Sequence, residues 1–420
     1  MTARSRFKKG ELSKWKGPAG ALVLGGLICQ MGVGFGYVLG SLAGDIIGEL
    51  GWTRTMYSSA RAPQLFVIAL TSPLIGAATI RFGPRRVLSI SAVLLGSAFL
   101  LLSELESIWQ LYALVVVMGF AVAGLGDITV GQAVSQWFTR RRGLALGIVY
   151  TGSNLGGAFL TRASGFVAEA ESWRTAFFLM GLGAFVVLLP AALWLVRDPV
   201  KPAEASQPDA ATDPSDEKAM NLQQALRTRS FWILAFTLFS FFFYFIGMLE
   251  HLVLFLTDTG LPTADARAWF SNAILLGLAS KILLGWAADR LPQKTSILLD
   301  YGLLAASSLV LLALPDATLL PVFILTYGFA TAARDVVYPL IINHCFGVRY
   351  MAQIYGALML GLLPGGALGP IFAATIHDQF GSYAHAFQTF ACLNLVAVLT
   401  LCFLRNEREP SAAGGQPLAT

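Results

Sequence analysis

Twelve stretches of this chain run for about 20 residues or more with few charges in them. That is the length an α-helix needs, at about 1.5 Å per residue, to cross the hydrocarbon core of a bilayer. They lie at approximately 19–42, 54–79, 85–104, 109–136, 141–168, 173–196, 230–256, 264–288, 293–314, 318–344, 352–377 and 383–404. Backbone in lipid must satisfy its hydrogen bonds internally, which leaves helices or a closed barrel. Barrel strands alternate apolar and polar residues, whereas these runs are continuous. The expected class is an all-α membrane protein with 12 transmembrane helices. Composition agrees: 13% of the residues are charged, against about 25% in soluble domains.

Charge between the runs sets the expected topology. The formal net charge is +5, from 29 basic and 24 acidic residues, and much of the excess sits in short connections. It therefore speaks for membrane orientation rather than for nucleic acid. One set of connections holds Lys8, Lys9, Lys14 and Lys16, then Arg81, Arg85 and Arg86, then Arg140 to Arg142, Arg290, Lys294, Arg405 and Arg408. The alternate set is acidic, with Asp45, Glu49, Glu104, Glu106, Glu169, Glu171 and Asp316. Both termini are expected in the cytoplasm, with the first helix uncleaved because its run is too long and Gly-rich for a signal peptide. Cys29, Cys345, Cys392 and Cys402 have neither metal nor redox spacing. No nucleophile–base set, nucleotide loop or ATPase motif appears, so no enzyme, metal or cofactor is expected.

A Pro-rich, mixed-charge linker separates the sixth and seventh runs. The expected division is a tail at 1–18, a six-helix bundle at 19–196, a linker at 197–229, a second bundle at 230–404 and a tail at 405–420. An internal repeat supports it. "GAATIRFGPRR" from Gly76 is echoed by "GWAADRLPQKT" from Gly285, and "WFTRRRGLALG", ending at Gly147, by "CFGVRYMAQIYG", ending at Gly356. Both pairs are 209 residues apart. Duplicated bundles with a solute site between them, near the midplane, are a transporter plan.

"GAATIRFGPRR" resembles the loop signature of the major facilitator superfamily. "QWFTRRRGLALGIVYTGSNLGGAF", "SWRTAFFLMGLGAF" and "EHLVLFLTDTGLP" resemble its monocarboxylate porter and oxalate:formate antiporter branch, over the whole chain. The resemblance implies the major facilitator fold, two pseudo-symmetric six-helix bundles with helices 1, 4, 7 and 10 lining a cavity. It also implies alternating access. There are departures. Ile80 replaces the acid of the first loop signature, while Asp289 and Arg290 keep the second copy. The branch's helix 8 arginine falls at Lys281; its helix 8 acid would fall at Gly277 and its helix 11 lysine near Leu362, both absent.

A lysine at the centre of a membrane helix costs about 2.5–3.5 kcal/mol on insertion scales. The ionisable residues well inside the runs are Arg61, Asp127, Arg162, Glu250, Lys281, Asp300, Arg334 and Asp335, four of each sign, as pairing demands. Depth divides most of them into two tiers. The inner tier, Asp127, Lys281, Arg334 and Asp335, is expected to face the cavity. Lys281 is the expected substrate cation, with Arg334 supplying a planar fork and Asp127, Tyr338, Phe35 and Tyr37 as further substrate contacts. Asp127, Asp335 and Glu250 are candidates for the coupling proton. Arg61, Arg162 and Glu250 are expected to gate the outer side, and Arg81, Asp289 and Arg290 the cytoplasmic side.

The expectation is a proton-coupled symporter of a small organic anion, foremost a monocarboxylate, acting as a monomer in a bacterial inner membrane. An exchanger or efflux carrier of a different solute is the alternative. A sensor on the same fold is a distant third.

Overall fold

The computed structural model describes residues 17–138, 142–197, 219–288, 290–314, 317–347 and 350–408. Most of the expected linker, both outer parts of the tails, Arg140, Arg141, Asp289 and Asp316 lie outside them. Helix dominates, and no strand occurs among the described residues. In chain order the long helical segments are α1 (Pro18–Ser41), α2 (Arg54–Phe82), α3 (Pro84–Leu102), α4 (Ile108–Val134), α5 (Arg142–Ala170) and α6 (Trp173–Leu195). They continue as α7 (Arg229–Asp258), α8 (Thr263–Ala288), α9 (Gln293–Leu312), α10 (Leu320–Phe346), α11 (Gln353–Phe380) and α12 (Ala384–Cys402).

Among the described residues, nine of these are long and apolar enough to cross a bilayer, or ten when the bent α10 is taken as one span. The expected twelve apolar runs are thus matched only in part. α5 and α8 are 29 and 26 residues long, sufficient in length, but they carry Arg162 and Asn154, and Arg267 and Lys281, which lower their apolar character.

Local sequence sets the helix ends. Thr53, Ser107, Ser172 and Thr228 accept from backbone N–H groups of the first turns of α2, α4, α6 and α7, satisfying donors that would otherwise face lipid or protein unpaired. Gly83 closes α2 at φ 85°, a conformation costly for any side chain, and Pro84 then opens α3 with its φ preset.

Buried apolar side chains fall into two clusters. One draws on residues between Leu22 and Val196, with Leu254 added. The other draws on Ala225 to Leu404, with Ala158 added. The two strays are informative, because α5 reaches into the second cluster and α7 into the first. Contact across this divide is close. A Cβ on Gly40 of α1 would lie 2.4 Å from the Leu249 carbonyl oxygen of α7. Lipid gives helices no hydrophobic drive to associate, so such small-residue contacts and cross-helix hydrogen bonds hold them together.

Candidate functional site

α10 bends by 46° between Ala332 and Val337. Pro339 explains the bend: it has no N–H for the carbonyl of Asp335, one turn earlier, and its ring crowds that carbonyl. Arg334 and Asp335 therefore sit at the break. Lys281 Nζ of α8 lies 3.1 Å from Asp335 Oδ2, while Arg334 Nη2 donates to Asp335 Oδ1. One carboxylate is thus shared by two cations from two helices. The Arg334 guanidinium also lies 5.1 Å from the ring centre of Phe241 and 4.9 Å from that of Phe242, within cation–π range.

Asp127 completes this cluster from the other half. α4 breaks at Gly126, and Asp127 opens the helical segment that follows, where the helix dipole favours a carboxylate. Its Oδ1 accepts from Gln30 Nε2 of α1 at 2.5 Å. Asp335, Lys281 and Arg334 are all within its electrostatic reach. The side chains of Lys281 and Arg334 are 15% and 13% exposed, and that of Asp335 is 43% exposed. The cluster is open to solvent-sized molecules.

The outer tier is different. Arg61 Nε of α2 lies 3.4 Å from Glu250 Oε1 of α7, with side chains 12% and 4% exposed. Arg61 Nη1 donates to Gln64 Oε1 at 2.8 Å. Beside them, a cavity of about 120 Å³ lies between α1, α2, α4 and α7, with Tyr37, Arg61, Gln64 and Phe245 in its wall. Tyr37 feels Lys281, Asp335, Arg61 and Arg334 electrostatically, so it stands between the tiers.

Comparison with known proteins adds the family. A profile of the Major Facilitator Superfamily matches residues 22–359. The chain belongs to this superfamily. It is 25% identical to rat monocarboxylate transporter 13 over 318 residues, covering 75% of this chain and 72% of that one. It is 24% identical to the oxalate:formate antiporter of Oxalobacter formigenes over 388 residues, covering 91% and 90%. Among solved structures it is similar to a bacterial homologue of the human lysosomal transporter Spinster, with a TM-score of 0.71, 16% identity and 97% and 100% coverage. A D-xylose–proton symporter gives 0.71 at 15% identity over 93% and 98%. At such identities the structures speak for the fold alone. Membership makes the chain a multi-pass membrane transporter of a small solute rather than an enzyme.

Not every expected superfamily residue reaches the space between the halves. Phe35 is 3% exposed and packs edge-on to Phe99, with ring centres 4.9 Å apart, inside the N-terminal cluster. Tyr338 is fully buried, its hydroxyl donating to the Leu234 carbonyl at 2.6 Å and lying 2.6 Å from the Thr237 hydroxyl. Both pack where substrate contacts were expected, because each faces its own bundle. Arg162 is exposed and forms no ion pair with Glu250 among the described residues. Its neighbours Thr161 and Ser164 are buried while it is not, so of the charges expected at the outer side Arg61 and Glu250 are the two that meet among the described residues. Arg81 is exposed, 5.2 Å from the ring centre of Phe82. Arg290 lies in the turn after α8, its N–H donating to the Ala287 carbonyl; Asp289 is outside the described residues. Asp300 is buried on α9.

Sequence reasoning missed the contacts that join the halves at the end where α1 meets α2 and α7 meets α8. Arg267 of α8 is 3% exposed; it pairs with Asp45, beyond α1, and with Glu169 of α5 at 3.0 Å. Arg54 pairs with Asp258 at 2.7 Å and donates to the Tyr383 hydroxyl at 2.6 Å. His251 lies 3.1 Å from Ser58 and 3.0 Å from both the Tyr383 hydroxyl and the Pro370 carbonyl. Arg54, Arg267 and Tyr383 sit within the first four residues of their apolar runs, and Asp45, Glu169 and Asp258 just beyond the ends of others, so depth in the run gave no signal for these pairs. Gly277 answers another departure: a Cβ there would lie 2.6 Å from Asn154 Nδ2 of α5. With α5 this close, the position has no room for an acidic side chain.

Proposed function

We propose that the chain moves a small monocarboxylate together with a proton across a bacterial inner membrane, by alternating access and as a monomer. Both termini face the cytoplasm, and the Arg267 end is the extracellular one, closed here. The observation that carries this reading is Asp335 held between Lys281 and Arg334 beside Asp127. Lys281, Arg334, Asp127 and Asp335 sum to zero charge. An entering carboxylate that replaces Asp335 on the cations adds one negative charge to a partly desolvated space. Restoring neutrality there takes one proton, on Asp335 or Asp127, because an uncompensated buried charge is expensive. Lys281 supplies a point charge and Arg334 a planar fork, which matches a carboxylate with two hydrogen bonds.

The relative named oxalate:formate antiporter supports a second reading, exchange of two anions on the same cations. Uptake of a labelled monocarboxylate panel into proteoliposomes, with and without an inward proton gradient, separates the two. Symport is expected to accumulate substrate down the proton gradient with empty vesicles. Exchange requires preloaded counter-substrate. Lys281→Gln is expected to lower uptake at least about tenfold, the scale of one lost charge-assisted hydrogen bond. Uptake indifferent to Lys281 overturns the assignment of the anion to the Lys281–Arg334 cluster.

A further inference from the structure

Arg61 stands between two cavities. On one side is a small cleft holding Glu250; on the other is the cavity of about 120 Å³ walled by Tyr37, Gln64, Val122 and Phe245. A guanidinium has five N–H donors in a fixed fork. One Arg61 donor is used on Gln64. Its Nε faces Glu250 Oε1 at 3.4 Å, yet both atoms are buried and neither has a hydrogen-bond partner. A buried ion pair is favourable only when its geometry is good and its remaining donors are satisfied. This one is loose, and its fork is open to a better carboxylate.

We propose that the cavity beside Arg61 is a second carboxylate-binding station, separate from the Lys281–Arg334 cluster, in which Arg61 holds the anion and Glu250 is its internal competitor. The proposal rests on the reading of the chain as a monocarboxylate carrier. Cavity chemistry narrows the ligand. Among the described residues Arg61 is the one cation in the wall, which otherwise is mainly apolar, so the second carboxylate of a dicarboxylate would be desolvated without a partner. A monocarboxylate with a short apolar tail fits. Gly36 leaves room for that tail: it lines the cavity, and a Cβ placed on it meets nothing within 4 Å. Tyr37, within electrostatic reach of both Arg61 and Lys281, stands where an anion would pass between the stations.

The test is equilibrium dialysis of radiolabelled isobutyrate against the purified full-length protein, with succinate as the dicarboxylate comparison. Glu250→Gln removes the competitor and is expected to tighten isobutyrate binding roughly tenfold, as a charge-assisted hydrogen bond is gained. A purely structural ion pair predicts no such gain. Arg61→Gln combined with Glu250→Gln removes both charges while keeping shape, so a folded protein is expected, and isobutyrate stoichiometry is expected to fall from two to one. Gly36→Leu, whose Cβ meets nothing within 4 Å, adds bulk to the cavity wall and is expected to weaken isobutyrate more than formate. Unchanged affinity in Glu250→Gln, or unchanged stoichiometry in the double variant, overturns the second station. Lys281→Gln distinguishes the two ideas. If it leaves uptake intact while the Arg61 variants lose binding, the inner cluster is wrongly assigned and the station stands. If wild-type protein binds no monocarboxylate, both fall.

Discussion

Arg61 and Glu250 meet where α1, α2 and α7 press together, and their side chains are 12% and 4% exposed. Lys281 and Asp335 meet where α10 is bent, and theirs are 15% and 43% exposed. Both pairs join an acid to a base inside the membrane span, but the carboxylates differ tenfold in exposure. The first carboxylate is enclosed and makes no ideal hydrogen bond. The second is shared by two cations and reachable. The comparison teaches that charge in a membrane helix does not name its own role: the enclosed carboxylate yields its cation only to a ligand arriving through the adjoining cavity, whereas the exposed one is open to exchange directly. At the closed end further pairs, Arg267 with Asp45 and Glu169, and Arg54 with Asp258, span both halves. A rocking carrier must break them to open that side.

The comparison is broken most directly at Asp335. Asp335→Asn leaves Lys281 and Arg334 without their shared anion, and gradient-driven accumulation in proteoliposomes is expected to fall at least about tenfold. Counterflow of bound substrate is expected to survive better than accumulation. Next in size is Arg267→Gln. It strands Asp45 and Glu169 across the divide and is expected to cost about 2 kcal/mol, reduced from the fully buried case because both acids are partly exposed. Thermal unfolding in detergent measures it, and the loss is expected to exceed that of Lys281→Gln, whose partner Asp335 keeps Arg334. Gly40→Ala places a methyl 2.4 Å from the Leu249 carbonyl and so wedges the closed end apart at a cost of roughly 1–3 kcal/mol. Maleimide labelling of a cysteine introduced at Thr55 should rise; unchanged labelling would mean that this contact does not hold the halves closed. The smallest effect belongs to Arg54→Ala, whose partner Asp258 is 37% exposed. A stability change below about 1 kcal/mol is expected.

Sequence alone determined the class, the positions of the long helices and the list of charges that lipid would not tolerate unpaired. Each of these is written locally, in an apolar run, a capping Ser or Thr, or an isolated lysine. It also grouped Asp127, Lys281, Arg334 and Asp335, because depth along a helix converts directly into position across a bilayer. Facing could not be read this way. Phe35, Tyr338 and Arg162 lie at suitable depths, yet α1, α5 and α10 are rotated so that these side chains point into a bundle or away from the divide. An apolar helix with weak amphipathicity gives no periodic signal for its rotation, since lipid and protein interior are equally apolar. The same holds for Asp335, whose sharing between Lys281 and Arg334 follows from a bend in one helix and its packing against another. Tertiary structure decided which charges meet, because that depends on helix rotation and crossing, and these are fixed only when small residues such as Gly40, Gly277 and Gly157 find the backbones and side chains they fit against.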